Sequence, residues 1–89
     1  MTPFERADEA ARLLKNPVLR DAFTGIRDNL IVTLEATQIS DVETQHEVAL
    51  MLQLLKRLQG QLLRYVEDGK LEQHRQKQAN FIERLRERF

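Results

Sequence analysis

The sequence contains no cysteine and no tryptophan, and only three glycines and two prolines occur in its 89 residues. Without cysteine the chain can form neither a disulfide nor a thiolate metal site. The three glycines are far apart, so no glycine-rich loop is available to cradle a phosphate group. A lone serine leaves little from which to build a nucleophilic catalytic group. These absences predict a protein that is not an enzyme and that uses no cofactor.

Long apolar runs are also missing from the chain. No stretch approaches the roughly 20 apolar residues that a membrane-spanning helix needs. The pattern of a secretory signal peptide is absent as well. We therefore expect a cytoplasmic protein that has no membrane partner.

Helix-start signals divide the first part of the chain. Thr2 and Pro3 are typical of an N-cap followed by the first helical residue, and this helix is predicted to run to about Lys15. Asn16 and Pro17 repeat the signal, which predicts a second helix over residues 17–37.

The longest helix pattern extends from Ser40 to Gly69. Ser40 and Glu43 fit a capping box, and Gly69 can take the left-handed conformation that ends a helix. Between these ends, apolar residues recur in steps of three and four and form one seam. The short connection over residues 37–39 predicts that this third helix and the second form an antiparallel hairpin. The residues predicted to form the core are Phe23, Leu30, Leu55, Leu58 and Leu62.

The residues after Gly69 differ in character from those before it. Residues 72–80 are almost wholly polar, and apolar side chains return only near the end. We predict a hairpin core over residues 1–69 and a polar, basic helical arm over residues 70–89. The arm tip is apolar, with a helical spacing suited to a groove on a partner or on the chain's own hairpin. The polar stretch favours a partner, and the predicted contact residues are Phe81, Ile82, Leu85 and Phe89.

Charge is unevenly distributed although the net charge is zero. Residues 70–89 carry six basic and three acidic side chains, whereas residues 28–53 contain no lysine or arginine. This gradient allows chains to associate head to tail, or allows the arm to fold back, and it is also compatible with ordinary solvated helix faces.

Two ligand classes other than protein have candidate residues in the sequence. Basic arm residues could contact phosphates, and these are Arg75, Lys77, Arg84, Arg86 and Arg88. Glu83 and Glu87 alternate with them, and a sequence pI of about 6.7 is low for a nucleic-acid-binding domain, so protein is favoured over nucleic acid. Glu43 and His46 form one Glu-x-x-His pair, whereas a di-iron bundle needs two such pairs, so we expect no metal.

Several short segments resemble those of small proteins encoded among the structural genes of tailed bacteriophages and prophages. The resemblance covers most of the chain and is carried by residues 13–19 (LLKNPVL), 25–27 (GIR), 54–58 (LLKRL) and 65–71 (YVEDGKL). Proteins of this group are commonly all-helical and are encoded near portal and head genes. The resemblance implies a role in the virion or in its assembly, hence a location in the host cytoplasm and in the virion. It implies no catalytic or ligand-binding residue.

The sequence as a whole predicts an all-α protein. It combines an antiparallel hairpin, a short N-terminal helix and an extended helical C-terminal arm, and we expect it to associate into a bundle or ring. The expected function is that of a non-enzymatic assembly protein that binds copies of itself and other structural proteins. The alternatives are a nucleic-acid packaging accessory with a basic arm, or a small regulator or inhibitor that binds one protein.

Overall fold

The computed structural model describes the backbone of residues 1–88 and the side chains of residues 1–87. Over this part the chain forms three α-helices and no strand: α1 (Pro3–Lys15), α2 (Pro17–Ala36) and α3 (Val42–Arg88). The predicted all-α class is therefore confirmed. The molecule is extended, with dimensions of 74 × 25 × 18 Å. Its length is that of α3, because 47 helical residues at 1.5 Å each span about 70 Å.

The predicted starts of the first two helices are confirmed by their N-caps, and α2 ends at Ala36, one residue before the predicted end. The Thr2 hydroxyl accepts a hydrogen bond from the backbone N–H of Glu5 at 3.1 Å, and Pro3 occupies the first helical position. The Asn16 side chain accepts from the N–H of Leu19 at 3.0 Å, again with proline next in sequence. One residue thus ends α1 and begins α2, which leaves the two helices directly consecutive.

The start of α3 differs from the predicted capping box at Ser40. Asp41 is the cap: its Oδ1 accepts from the backbone N–H of Thr44 at 3.1 Å, and its Oδ2 accepts from the Thr44 hydroxyl at 2.7 Å. A carboxylate offers two separate acceptor oxygens, one for the backbone N–H and one for the hydroxyl of Thr44, whereas a serine side chain has a single oxygen. Gln45 secures the connection from α2, since its side-chain amide donates to the carbonyls of Gln38 and Ile39.

This cap makes a testable prediction about pH. The hydrogen bonds from the Thr44 side chain and backbone lower the pKa of Asp41 below its ordinary value of 3.8. A lowered folded-state pKa means that the stabilisation is present above the unfolded value and is lost as the pH falls through the folded value. We expect Asp41→Ala to lower the melting temperature at neutral pH, and this deficit to shrink as the pH falls below 3.8 and through the folded-state pKa. Thermal unfolding followed by circular dichroism over a pH series measures both effects.

Ser40→Ala is the matched control for this prediction, because Ser40 is adjacent to the cap but makes none of its bonds to Thr44. It should leave the melting temperature unchanged at every pH. Equal losses of melting temperature in the two variants would indicate that Ser40 contributes to capping α3 as much as Asp41 does.

The predicted helix stop at Gly69 is wrong. The helix continues through Gly69 to Arg88, and Gly69 does not adopt a positive φ. The flanking residues contain no proline or other strong breaker, so nothing local forces an end. The boundary predicted between a core and an arm therefore lies within one continuous helix, and the division into residues 1–69 and 70–89 stays a prediction.

Both α1 and α2 lie along α3, and the contacts follow a clear order. The start of α1 faces residues 68–75 of α3, where Pro3 and Arg6 line a cleft with Asp68 and Arg75. The end of α1 and the first turns of α2 meet near Gln59. The middle of α2 faces residues 51–58. The contact surface thus moves toward the beginning of α3 as the chain advances from α1 to α2, and α1 packs on α3 more extensively than α2 does.

The core is smaller than the sequence predicted. Among the described residues, the buried apolar side chains are those of Ala10, Phe23 and Val48. Phe23 is thus confirmed as core, whereas Leu30, Leu55 and Leu62 are only half-buried. Leu58 was wrongly assigned to the core, since 51% of it is exposed. The physical reason is the two-layer arrangement: α1 and α2 cover one side of α3, and no third layer within the described chain covers the remaining apolar side chains.

Candidate interaction surfaces

A close contact joins α1 to the middle of α3 at Gly69. Gly69 is buried there, and a Cβ built on it would collide with the Cβ of Ala7 and lie 3.5 Å from the carbonyl oxygen of Pro3. Ala10 is buried one turn further along α1. Small residues on both helices let the two backbones approach, so Gly69 serves as a contact point between helices.

A polar cleft flanks this contact at the start of α1. The guanidinium carbon of Arg6 lies 4.3 Å from the centroid of the Tyr65 ring, a cation–π arrangement. The Arg6 Nε is buried and has no hydrogen-bond partner. Nearby, Arg75 lies 3.9 Å from the carboxylate of Glu72, and both side chains are exposed enough for this ion pair to contribute little. The start of α1 is therefore held against α3 chiefly by the stacking of Arg6 on Tyr65 and by packing.

A wholly apolar groove lies between α2 and α3. It has a volume of about 260 Å³ and no polar side chain in its lining. We call it the α2–α3 groove, and its lining residues are Ile26, Leu30, Met51, Leu54, Leu55 and Leu58. Leu54 is 67% exposed and is the most accessible of them. An apolar surface of this kind is the usual mark of a protein contact.

The last turns of α3 extend beyond the helices that accompany it. We call residues 76–88 the α3 extension, and every side chain described within it is exposed. Three of the four predicted partner contacts, Phe81, Ile82 and Leu85, are exposed on this extension, and we call them the extension patch. Phe81 and Ile82 line a shallow depression with His74, Lys77 and Gln78, all from α3 itself. The fourth predicted contact, Phe89, lies outside the described residues.

The residues predicted as phosphate contacts are spread along α3. Arg75 belongs to the polar cleft, and Lys77 lines the depression beside the extension patch. Arg84 and Arg86 are exposed on the extension. The side chain of Arg88 lies outside the described residues. Their role in binding phosphate stays a prediction.

The chain offers no assembled metal site in its described part. Groups of three or more acidic or histidine side chains placed to hold one ion do not occur among residues 1–87. His46 lies near the start of α3, whereas the ring of His74 is within 3.1 Å of the Gln78 amide. The two histidines are therefore far apart along one helix.

Sequence reasoning missed two of these features. The α2–α3 groove was not predicted, because Leu30, Leu55 and Leu58 were assigned to a closed core. The sequence pattern predicts a helix end at Gly69, whereas this residue is a contact between α1 and α3. The small residues Ala7, Ala10 and Ala11 of α1, at helical spacing, were the available signal for a close approach to a glycine.

Comparison with known proteins adds no relative from which a role could be transferred. Within residues 1–88, no helix is long and apolar enough to cross a membrane. No protein-family model, no curated protein and no solved structure matches the chain.

Proposed function

We propose that the chain is a non-enzymatic assembly protein, a helical hairpin that associates with copies of itself and docks on other structural proteins. The resemblance noted in the sequence supports placing it in a phage virion or in virion assembly. The proposal depends mainly on one observation, the large apolar surface that the chain leaves uncovered.

The accessible surface is larger than that of a compact protein of this size. The chain exposes 7742 Å², whereas a compact monomer of 10.5 kDa exposes about 5,400 Å². Its radius of gyration is 20.8 Å, against about 12 Å for a compact chain of this length. The excess of about 2,300 Å² exceeds the roughly 800 Å² that each partner buries in a standard interface. Large apolar side chains are among the exposed residues, for example Ile39 at 90%, Leu54 at 67% and Leu71 at 63%, and association would remove such side chains from water.

Measurement of mass in solution tests the proposal. We expect the full chain to sediment as species heavier than 10.5 kDa, with a mass that rises with protein concentration. The radius of gyration from X-ray scattering should rise above 20.8 Å in parallel. A mass of 10.5 kDa at every concentration up to the millimolar range would contradict self-association and would favour the small-regulator alternative.

The nucleic-acid alternative is separated from this proposal by its salt response. Phosphate contacts lose affinity steeply between low and moderate salt, whereas an apolar interface does not. Association that persists as salt is raised, without binding to a duplex DNA probe, supports the assembly role. Detection of this chain by mass spectrometry in purified phage particles would support the virion role specifically.

A further inference from the structure

We propose that the α3 extension of one copy docks in the α2–α3 groove of a second copy, so that chains join head to tail. This inference rests on the proposed self-association and adds the two surfaces that carry it. The extension patch supplies the apolar anchors, and the groove supplies a receiving surface of matching chemistry.

The extension is amphipathic in a specific way. At about 100° per residue, Phe81, Ile82 and Leu85 fall within one arc of roughly 100° on the helix. Cations border this arc on both sides: Lys77 and Arg84 lie next to Phe81, and Arg86 lies next to Ile82. Glu83 and Glu87 fall on the opposite face. The surface that would enter a groove is therefore apolar at its centre and positive at both edges.

The complementary charge lies on α3 beyond one end of the groove. Glu43 and Glu47 lie within about 20° of the direction of Leu54 on α3, two to three turns nearer to the helix start. Residues 28–53 contain no lysine or arginine to neutralise them. An acidic end thus continues the apolar lining of Met51, Leu54 and Leu58.

These positions define an orientation for the docked helix. If the extension runs antiparallel to α3 of the receiving copy, Ile82 lies over Leu54. Leu85 then lies over Met51. Arg86 then lies beyond the apolar contact, on the side of Glu47. In this orientation the apolar parts of the two surfaces coincide, and Arg86 approaches the acidic end of the groove.

The same geometry favours a chain of copies over a closed pair. Leu54 and Leu85 are separated by about 45 Å along α3 and by roughly 140° around it. A copy that docks in the groove and a copy that receives the extension therefore lie on different sides of the helix. Such heterologous contacts build rings or open filaments.

Two single substitutions, each with a charge that the opposite surface repels, test the contact. Leu54→Lys places a cation in the groove, and Leu85→Glu places an anion in the extension patch. Each variant of the full chain should weaken association in sedimentation velocity by roughly tenfold or more, as expected when an interface anchor is lost. Val32→Lys is the matched control, since Val32 is 62% exposed against 67% for Leu54 but lies outside the groove. It should associate like the wild type.

Mixing the two variants tests the head-to-tail arrangement. Leu54→Lys retains an intact extension and Leu85→Glu retains an intact groove, so an equimolar mixture should form a 1:1 complex of about twice the monomer mass at concentrations where neither variant associates alone. Circular dichroism of each variant alone checks that the helices remain intact.

The outcomes distinguish this inference from the proposed function. A monomeric wild type would overturn both. A wild type that associates, with both variants behaving like Val32→Lys, would overturn only the docking proposed here. Failure of the mixture to form the 1:1 complex would overturn the head-to-tail pairing. A double variant, Arg84→Glu/Arg86→Glu, tests whether the extension binds nucleic acid instead. If it lost binding to duplex DNA while its self-association stayed unchanged, the proposed docking would also be overturned, because the extension would then be a nucleic-acid contact.

Discussion

Gly69→Ala is expected to destabilise the protein, although the same change at Gly60 should stabilise it. In both cases alanine improves helix propensity by about 1 kcal/mol, because both glycines lie inside α3. At Gly60 nothing lies within 4 Å of the new methyl group. At Gly69 the methyl group meets the Cβ of Ala7, which is attached directly to the α1 backbone and cannot move aside as a flexible side chain would.

The difference between the two variants isolates the packing cost. The propensity gain cancels between them, which leaves the overpacking penalty of about 1–3 kcal/mol at Gly69. For a domain of this size, each kcal/mol changes the melting temperature by about 4–8 °C. Thermal and urea unfolding of Gly69→Ala and Gly60→Ala, at a concentration where association is constant, measures the difference.

A second-site substitution makes the test specific to Ala7. Ala7→Gly alone should cost about 1 kcal/mol through lower helix propensity. In combination with Gly69→Ala it should instead recover stability, because removing the Ala7 Cβ restores the space that the methyl group needs. Additive losses in the double variant would show that Ala7 is not the limiting contact.

The helix caps could be predicted from the sequence, whereas the role of Gly69 could not. The caps at Thr2 and Asn16 were predicted correctly because each depends on residues within three positions. A glycine in a helical sequence has two common roles, to end the helix or to admit a neighbour. For Gly69 the role is decided by Ala7, which is distant in sequence and reaches α3 only after the chain has folded. No local pattern carries that information.

The same limit applies to the interaction surfaces. Apolar periodicity correctly identified the residues of the extension patch as apolar positions on a helix. It could not show how much of the seam in α3 would be covered, and so it placed Leu58 in the core although about half of it is exposed. The α2–α3 groove is a space between two helices, and its shape depends on their separation. Residue type is readable from the sequence, whereas the number of covering layers is a property of the assembled fold.

Phe23→Ala is expected to produce the largest loss of stability of any single truncation discussed for this chain. Phe23 is 8% exposed and is the largest of the buried apolar side chains in the described part. It lies where the end of α1, the start of α2 and α3 meet, beside Leu13, Leu14 and Gln59. Truncating a buried phenylalanine costs about 3–5 kcal/mol, from lost burial and from the cavity left behind. The two other buried apolar side chains of the described part, Ala10 and Val48, are much smaller, so the core has little else to compensate for that loss.

Phe81→Ala is the matched control, because it removes the same atoms from a side chain that is 60% exposed. Urea unfolding of both variants at low concentration, where the chain is least associated, should show the loss for Phe23→Ala and almost none for Phe81→Ala. At high concentration Phe81→Ala should lose stability relative to the wild type, since its partner contact then matters. If Phe81→Ala were as damaging as Phe23→Ala at low concentration, the extension would be packed within its own chain. Comparison of these two variants thus distinguishes a phenylalanine that stabilises the fold, Phe23, from one that is available to contact a partner, Phe81.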